Sequence, residues 1–333
     1  MLELKMDELA NNKALLEFTK TGWPWDIVVD ANIYSDSIQW PKITIITPSY
    51  NQGNFLEETI RSIILQNYPN LEYIIIDGGS TDNSIEIIKK YENHLTYWVS
   101  EEDFGQSHAI NKGIFISTGE LINWINSDDI LMPNSLFNLA MKFIQANTDR
   151  IVIIGNGYEI DVNSEKIRER KVELDPSSAN KLYFKIKGVP IQQAMFFSKR
   201  ILTEAGGINP LMKYPMDIDL YNKLGFLNPR IEIVDQFIGG FRLHSNSKTI
   251  SQSILMLDEK INLLKFLSFY DKNKTNYKNQ IASYIIGTSL SEINLFPKMK
   301  YIFQGFINLK LNRKNRYKFR ILFSKVINNK NNP

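Results

Sequence analysis

The chain has 333 residues, 43% of them hydrophobic, 23% charged and 12% aromatic, the composition of a globular protein with ample core. It has no cysteine, which excludes disulfides, thiolate nucleophiles and Cys-based zinc or iron–sulfur sites. A net charge of +3, read as an average over the whole chain, argues against a nucleic-acid binder.

The N-terminus, MLELKMDELANNK, lacks the basic and apolar regions of a signal peptide. No apolar run approaches the roughly 18–20 residues that cross a bilayer. The expected location is therefore the cytoplasm. Residues 1–41 read as an arm containing Gly22-Trp23-Pro24-Trp25, where a proline between two tryptophans stops a helix. The cluster either packs onto the main domain or contacts a partner.

From Lys42 strands and helices alternate. Lys42–Pro48 reads as a strand. Asn54 is expected to cap a helix carrying Leu56, Ile60, Ile63 and Ile64 on one face. Leu71–Ile76 is a continuous apolar strand suited to a sheet covered on both sides. A turn, Asp77-Gly78-Gly79-Ser80-Thr81-Asp82, leads into a helix over Ser84–Tyr91. Leu95–Ser100 is a strand, Gln106–Ser117 a helix, and Leu121–Ile125 a strand ending in Asn126-Ser127-Asp128-Asp129. This alternation predicts a mostly parallel, doubly wound sheet. Ligands of such sheets sit beyond the carboxyl ends of the strands, where the polar residues cluster. After Arg150 the pattern loosens. Ile151–Ile160 and Ala194–Ser198 read as strands, Arg200–Ala205 as a helix, and the chain beyond Ser251 as helices.

The chemistry-bearing residues lie at these strand ends. Adjacent carboxylates at Asp128 and Asp129 repel each other, a cost that an oxygen-seeking Mg²⁺ or Mn²⁺ relieves. Either acid could instead cap the following turn. The Asp77–Asp82 turn permits close backbone approach to a ligand, with Asp77 placed to accept bonds from a base or ribose, or it is a plain strand-to-helix turn. Pro48-Ser49-Tyr50-Asn51 offers a ring and short polar groups to a nucleobase, or forms a rigid loop. Asp103, Gln106 and His108 open a helix whose N-terminus favours phosphate oxygens, with Asn111 and Lys112 one turn on. Asp103 also fits a simple cap, and His108 a structural role. Asp217 and Asp219 point about 200° apart if helical, so one would work and the other support. Arg242-Leu243-His244-Ser245-Asn246-Ser247-Lys248-Thr249 gathers cations and hydroxyls suited to a diphosphate.

In this order, over residues 42–250, the segments SYN, DGGSTD, DFGQSHAINKG, SDD, MDIDLY and RLHSNSKT resemble the catalytic domain of glycosyltransferase family 2. The arm's Thr21–Trp25 resembles leaders of some bacterial members. The resemblance implies a GT-A fold, Rossmann-like, with a mixed, mostly parallel sheet flanked by helices. Residues 42–150 would form the nucleotide-sugar half and 151–250 the acceptor half, with a helical basic extension over 251–333. Pro48, Ser49, Tyr50, Asn51, Asp77 and Gly78 would line the nucleotide. Asp103, Gln106, Asn111, Lys112, Ser127, Asp128 and Arg242 would line the sugar diphosphate. Asp129, Asp128 and His244 would hold Mg²⁺ or Mn²⁺, Asp129 most directly, and Asp217 would be the general base. The implied reaction is metal-dependent, inverting transfer from a nucleoside-diphosphate sugar, expected to be a UDP-sugar, to a glycan or lipid-linked glycan in bacterial surface-polysaccharide synthesis. A sugar-nucleotide nucleotidylyltransferase would instead need a basic glycine-rich loop near the N-terminus, and PSYNQGN has no cation. A non-catalytic nucleotide-sugar or glycan binder need not keep both acidic motifs.

The near-neutral total conceals an asymmetry. Residues 261–333 carry 14 Lys and Arg against 2 Asp and Glu, leaving 25 against 34 in residues 1–260. An acidic domain for an anionic ligand fits a bound cation supplying the positive charge. The basic, aromatic-rich tail reads either as a solvated helical face or as a peripheral contact with the anionic inner face of the cell membrane. No motif supports nucleic acid as a partner.

Overall fold

The computed structural model describes residues 20–175 and 186–245, together with residues 15, 247, 259, 262 and 263. The chain forms two compact units, Met1–His244 and Ser245–Pro333. The expected helical extension over 251–333, with its membrane contact, lies almost wholly outside the described residues. So do Asn246, Lys248 and Thr249. Among the described residues no helix is long and apolar enough to cross a membrane.

The first unit is built on a nine-stranded sheet. Its elements are β1 (Ile43–Ser49), α1 (Leu56–Ile64), β2 (Leu71–Asp77), α2 (Ser84–Lys90), β3 (Tyr97–Ser100), α3 (Gln106–Ile116), β4 (Leu121–Trp124), β5 (Ile130–Leu131), α4 (Ser135–Ala146) and β6 (Ile151–Ile160). They continue with β7 (Lys166–Arg170), a separate hairpin of β8 (Glu173–Leu174) and β9 (Ile186–Lys187), β10 (Met195–Ser198), α5 (Lys199–Glu204), α6 (Met216–Leu227) and β11 (Arg230–Arg242). The sheet order is β3-β2-β1-β4-β10-β6-β11-β5, with β7 beside β6. The first four strands run parallel. β10 is antiparallel to both neighbours, and β11 returns parallel to β6.

Alternate residues of each central strand face opposite helical layers. Ile43, Ile45, Tyr73, Ile75, Ile151 and Ile153 pack with α1, α4 and the arm. Ile46, Ile122, Trp124, Val152 and Ile154 pack with α3, α5 and α6. Both faces are therefore dry, as the unbroken apolar runs require. Each fully buried Ile contributes about 1.5–3 kcal/mol. The register sets Ser49 opposite Asp77 and Asp77 opposite Ser100, so the polar strand ends lie level along one edge.

Several boundaries differ from the sequence reading. α1 begins at Leu56 with no side-chain cap. The Gln52 carbonyl instead accepts the Phe55 and Leu56 amides. β3 begins at Tyr97 because Glu92–His94 forms a 3₁₀ turn that holds the Leu95 amide. α4 and the 13-residue β11 were not anticipated. β11 is interrupted by register shifts around Phe237, which erase the alternation that marks a strand.

Candidate active site at the strand ends

The β2–α2 turn is organised by Asp77, which is fully buried. Its Oδ2 accepts from the Gly79 amide at 3.0 Å, the Ser80 amide at 2.8 Å and the Ser100 hydroxyl at 2.8 Å, and its Oδ1 from the Ser80 hydroxyl at 2.6 Å. Asn51 is engaged here too: its amide donates to Ser80 Oγ, and its Oδ1 accepts the Thr81 amide at 2.8 Å. Asp77 and Asn51 thus build the loops, Asp77 from a buried position and Asn51 from an exposed one. A Cβ on Gly78 would lie 2.9 Å from Asp103 Oδ2, so glycine is what lets the second and third strand-end loops touch. Asp103 itself accepts the Gly105 amide at 2.6 Å. Along β1, Pro48 stands level with Ile76. Ser49 is 3% exposed and its hydroxyl has no hydrogen-bond partner among the described residues, whereas Tyr50 is 62% exposed.

Helix α3 links the other site groups. Gln106 Nε2 donates to Asn126 Oδ1 at 2.6 Å. The next residue, Ser107, donates to the Met212 carbonyl at 2.9 Å and lies 3.0 Å from Met216 Sδ. Successive residues therefore touch the acidic loop and the start of the helix carrying Asp217. Further along α3 the Asn111 side-chain amide clamps both backbone groups of Ile208. Lys112 pairs with Glu101 at 2.7 Å.

The acidic pair divides its labour. Asp129 is fully buried, and its carboxylate accepts the Arg242 amide at 2.8 Å, Asn126 Nδ2 at 2.9 Å and Gln193 Nε2. Burial first, and the neighbouring Asp128 charge second, hold its pKa well above the usual carboxylate range. To serve as the direct metal ligand expected of it, Asp129 would exchange some of these protein partners for the cation. Asp128 is the more open acid, with His244 Nε2 3.0 Å from its Oδ2 and side chains 6% (His) and 19% (Asp) exposed. The Phe55 ring packs 4.8 Å from the imidazole. Ser127 is buried in the same loop.

Arg242 was expected to grip a diphosphate, and the fold gives it another task. It is fully buried. Its guanidinium pairs with Glu58 at 2.9 Å and donates to the carbonyls of Asp128, Asp161 and Val162 and to Ser164 Oγ.

Asp217 stands in the first turn of α6, half-buried, its Oδ1 accepting the Ile218 amide at 2.8 Å. Asp219 is 8% exposed and pairs with Lys223 at 2.9 Å. The two acids do face differently, and Asp219 belongs to its own helix.

Sequence reasoning missed Glu58, Ser100, Ser107 and Gln193. Each sits in an ordinary helix, strand or turn, and only the fold brings it to the site.

For a divalent cation, the donor set is Asp128 and His244. Among the described residues no cluster of three or more His, Cys, Asp or Glu could hold a metal alone. One carboxylate and one imidazole leave most positions to phosphate oxygens and water, the usual manner for Mg²⁺, so the residues fit a metal that arrives with a phosphorylated ligand.

The family model "Glycosyl transferase family 2" matches residues 44–205. Glycosyltransferase GlyG of Streptococcus pneumoniae serotype 4 is 37% identical over 122 residues, 36% of this chain and 40% of GlyG. The uncharacterized glycosyltransferase RP339 of Rickettsia prowazekii is 29% identical over 236 residues, 68% of this chain and 70% of RP339. The chain thus spans well under two thirds of GlyG's length. Among solved structures, S. aureus TarS 1-349 in complex with UDP-GlcNAc aligns with a TM-score of 0.56 at 14% identity, covering 84% of this chain and 79% of that one. That likeness identifies the fold as GT-A. With this fold beneath the matched motifs, residues 44–205 carry a glycosyltransferase family 2 domain.

Proposed function

We propose that the protein transfers a sugar from a nucleoside-diphosphate sugar to an acceptor hydroxyl, with inversion. The observation that carries this reading is the α3 N-terminus: Gln106 reaches the Asp128–Asp129 loop while Ser107 reaches the start of the Asp217 helix. The segments for leaving-group and nucleophile chemistry are thereby both tied to one helix start. A UDP-sugar donor is supported by TarS, whose structures contain UDP-GlcNAc and UDP. The acceptor fits a glycan or lipid-linked glycan of a surface polysaccharide.

Asp217 takes the proton of the acceptor hydroxyl as that oxygen attacks the anomeric carbon. The carbon–oxygen bond to the β-phosphate breaks as the new bond forms, and its electron pair leaves on the diphosphate. Asp128 and His244 would hold Mg²⁺ or Mn²⁺ against the diphosphate. When bound, the cation offsets the charge that develops on the leaving group. Tyr50, exposed beside the β1 strand end, offers a face to the base.

The test is release of UDP across a panel of UDP-sugars with Mn²⁺, with and without EDTA. Asp128→Asn is expected to weaken Mn²⁺-dependent UDP binding by about tenfold or more, equal to about 1.4 kcal/mol, as read by calorimetry. Binding that ignores both EDTA and this substitution would refute the metal assignment. UDP-sugar binding without any turnover would indicate a binding protein.

A further inference from the structure

The arm precedes the matched family domain, which begins at Thr44, yet it reaches the strand that follows the acidic pair. Among the described residues β5 is an edge strand of the sheet, paired on one side with β11. An edge strand presents backbone groups with no partner strand, and Leu131 is fully buried, so those groups need partners. The Leu131 amide donates to Ser62 Oγ at 3.1 Å. The Leu131 carbonyl accepts the indole N–H of Trp23 at 2.7 Å.

The same α1 surface grips the flanking residues. Thr59 donates to the Asp129 carbonyl at 2.7 Å, and Gln66, just past α1, donates to the Met132 carbonyl at 2.9 Å. The arm in turn is fixed to α1 through Arg61, which is 1% exposed and donates to the Pro24 and Trp25 carbonyls. Trp23 is thus held by one helix and closes the outer side of the strand that starts two residues after Asp128.

We propose that Trp23 is a positioning residue: by closing the open edge of β5, the arm fixes the Asp128–Asp129 loop in its working place. The consequence for catalysis rests on the role assigned above to Asp128. The placement of the loop does not.

Trp23→Phe keeps a ring and deletes the donor, leaving the Leu131 carbonyl buried and unpaired. Trp25→Phe is the control, since it alters the arm at a ring that faces Arg61 and Lys20 and not β5. Hydrogen exchange by mass spectrometry of peptides spanning 126–132 is expected to quicken roughly 5- to 150-fold in Trp23→Phe, the range for one unpaired buried group, and to stay unchanged in Trp25→Phe. Mn²⁺-dependent UDP affinity and kcat should fall with it, at unchanged acceptor KM. Ser62→Ala, which removes the partner of the Leu131 amide, should reproduce the pattern if Trp23→Phe folds poorly. Equal quickening across the whole domain, or a faster loop with unchanged UDP affinity, would overturn the proposal. Wild-type protein that binds no UDP would defeat the reading of Asp128, while an unchanged loop in Trp23→Phe would separately defeat the placement.

Discussion

Replacing Asp217 with asparagine is expected to lower kcat by roughly 10²- to 10⁴-fold, the usual contribution of a positioned general base, with UDP affinity unchanged. The substitution is close to isosteric, and the asparagine Oδ1 can still accept the Ile218 amide that Asp217 accepts now. The helix loses only a charge at its positive end, worth about 0.3–1 kcal/mol, so the variant should fold. Asp219→Asn separates the two acids. It removes the Lys223 pair on the same helix and should leave kcat within a few-fold of wild type. Single-turnover transfer and calorimetric UDP binding, measured side by side, decide the matter. Loss of UDP affinity at unchanged kcat would show that Asp217 serves the donor and not the acceptor.

What could be read from the sequence follows from how local each signal is. The parallel strands announced themselves because Tyr73–Ile76 and Ile151–Ile154 are unbroken apolar runs, and a run buried on both faces needs no partner to be recognised. The strand-end location of Asp77, Asp103 and Asp128 followed from the same alternation. What each side chain does there was not local. Asp129 and Asp128 are equivalent as letters, and only the approach of Gln193, Asn126 and the Arg242 amide turns one inward and leaves the other beside His244. β11 stayed hidden because a strand with two register shifts has no steady period, although it ends at Arg242 and leads directly to His244. The arm was legible as a non-helical tryptophan cluster, but its target, a backbone carbonyl 108 residues away, has no sequence signature.

Arg242→Met is expected to cost about 3–5 kcal/mol of stability, because removing one partner of a buried ion pair strands the other in a dry environment. Glu58 is 12% exposed on its side chain and pairs with a guanidinium that is 0% exposed. Three backbone carbonyls lose their donor as well. Urea denaturation measures the loss directly. The experiment separates two roles that the sequence alone leaves merged. An arginine that gripped the diphosphate would, on replacement, leave the fold intact and weaken UDP binding. An arginine that ties β11 to α1 and the acidic loop should lower the midpoint of unfolding, and residual folded protein at low temperature should keep most of its UDP affinity. Adding Glu58→Leu gives the sharper arm. If the cost arises from a stranded charge, the double variant should recover part of the stability lost by Arg242→Met, since an apolar pair of similar volume can replace a buried ion pair with little penalty. Recovery will be incomplete because Glu58 also accepts from Ser164 and because Arg242 Nε holds the Asp128 carbonyl at 2.7 Å. The unrecovered part therefore reports how far this arginine, placed two residues before His244, orders the site without touching its ligand.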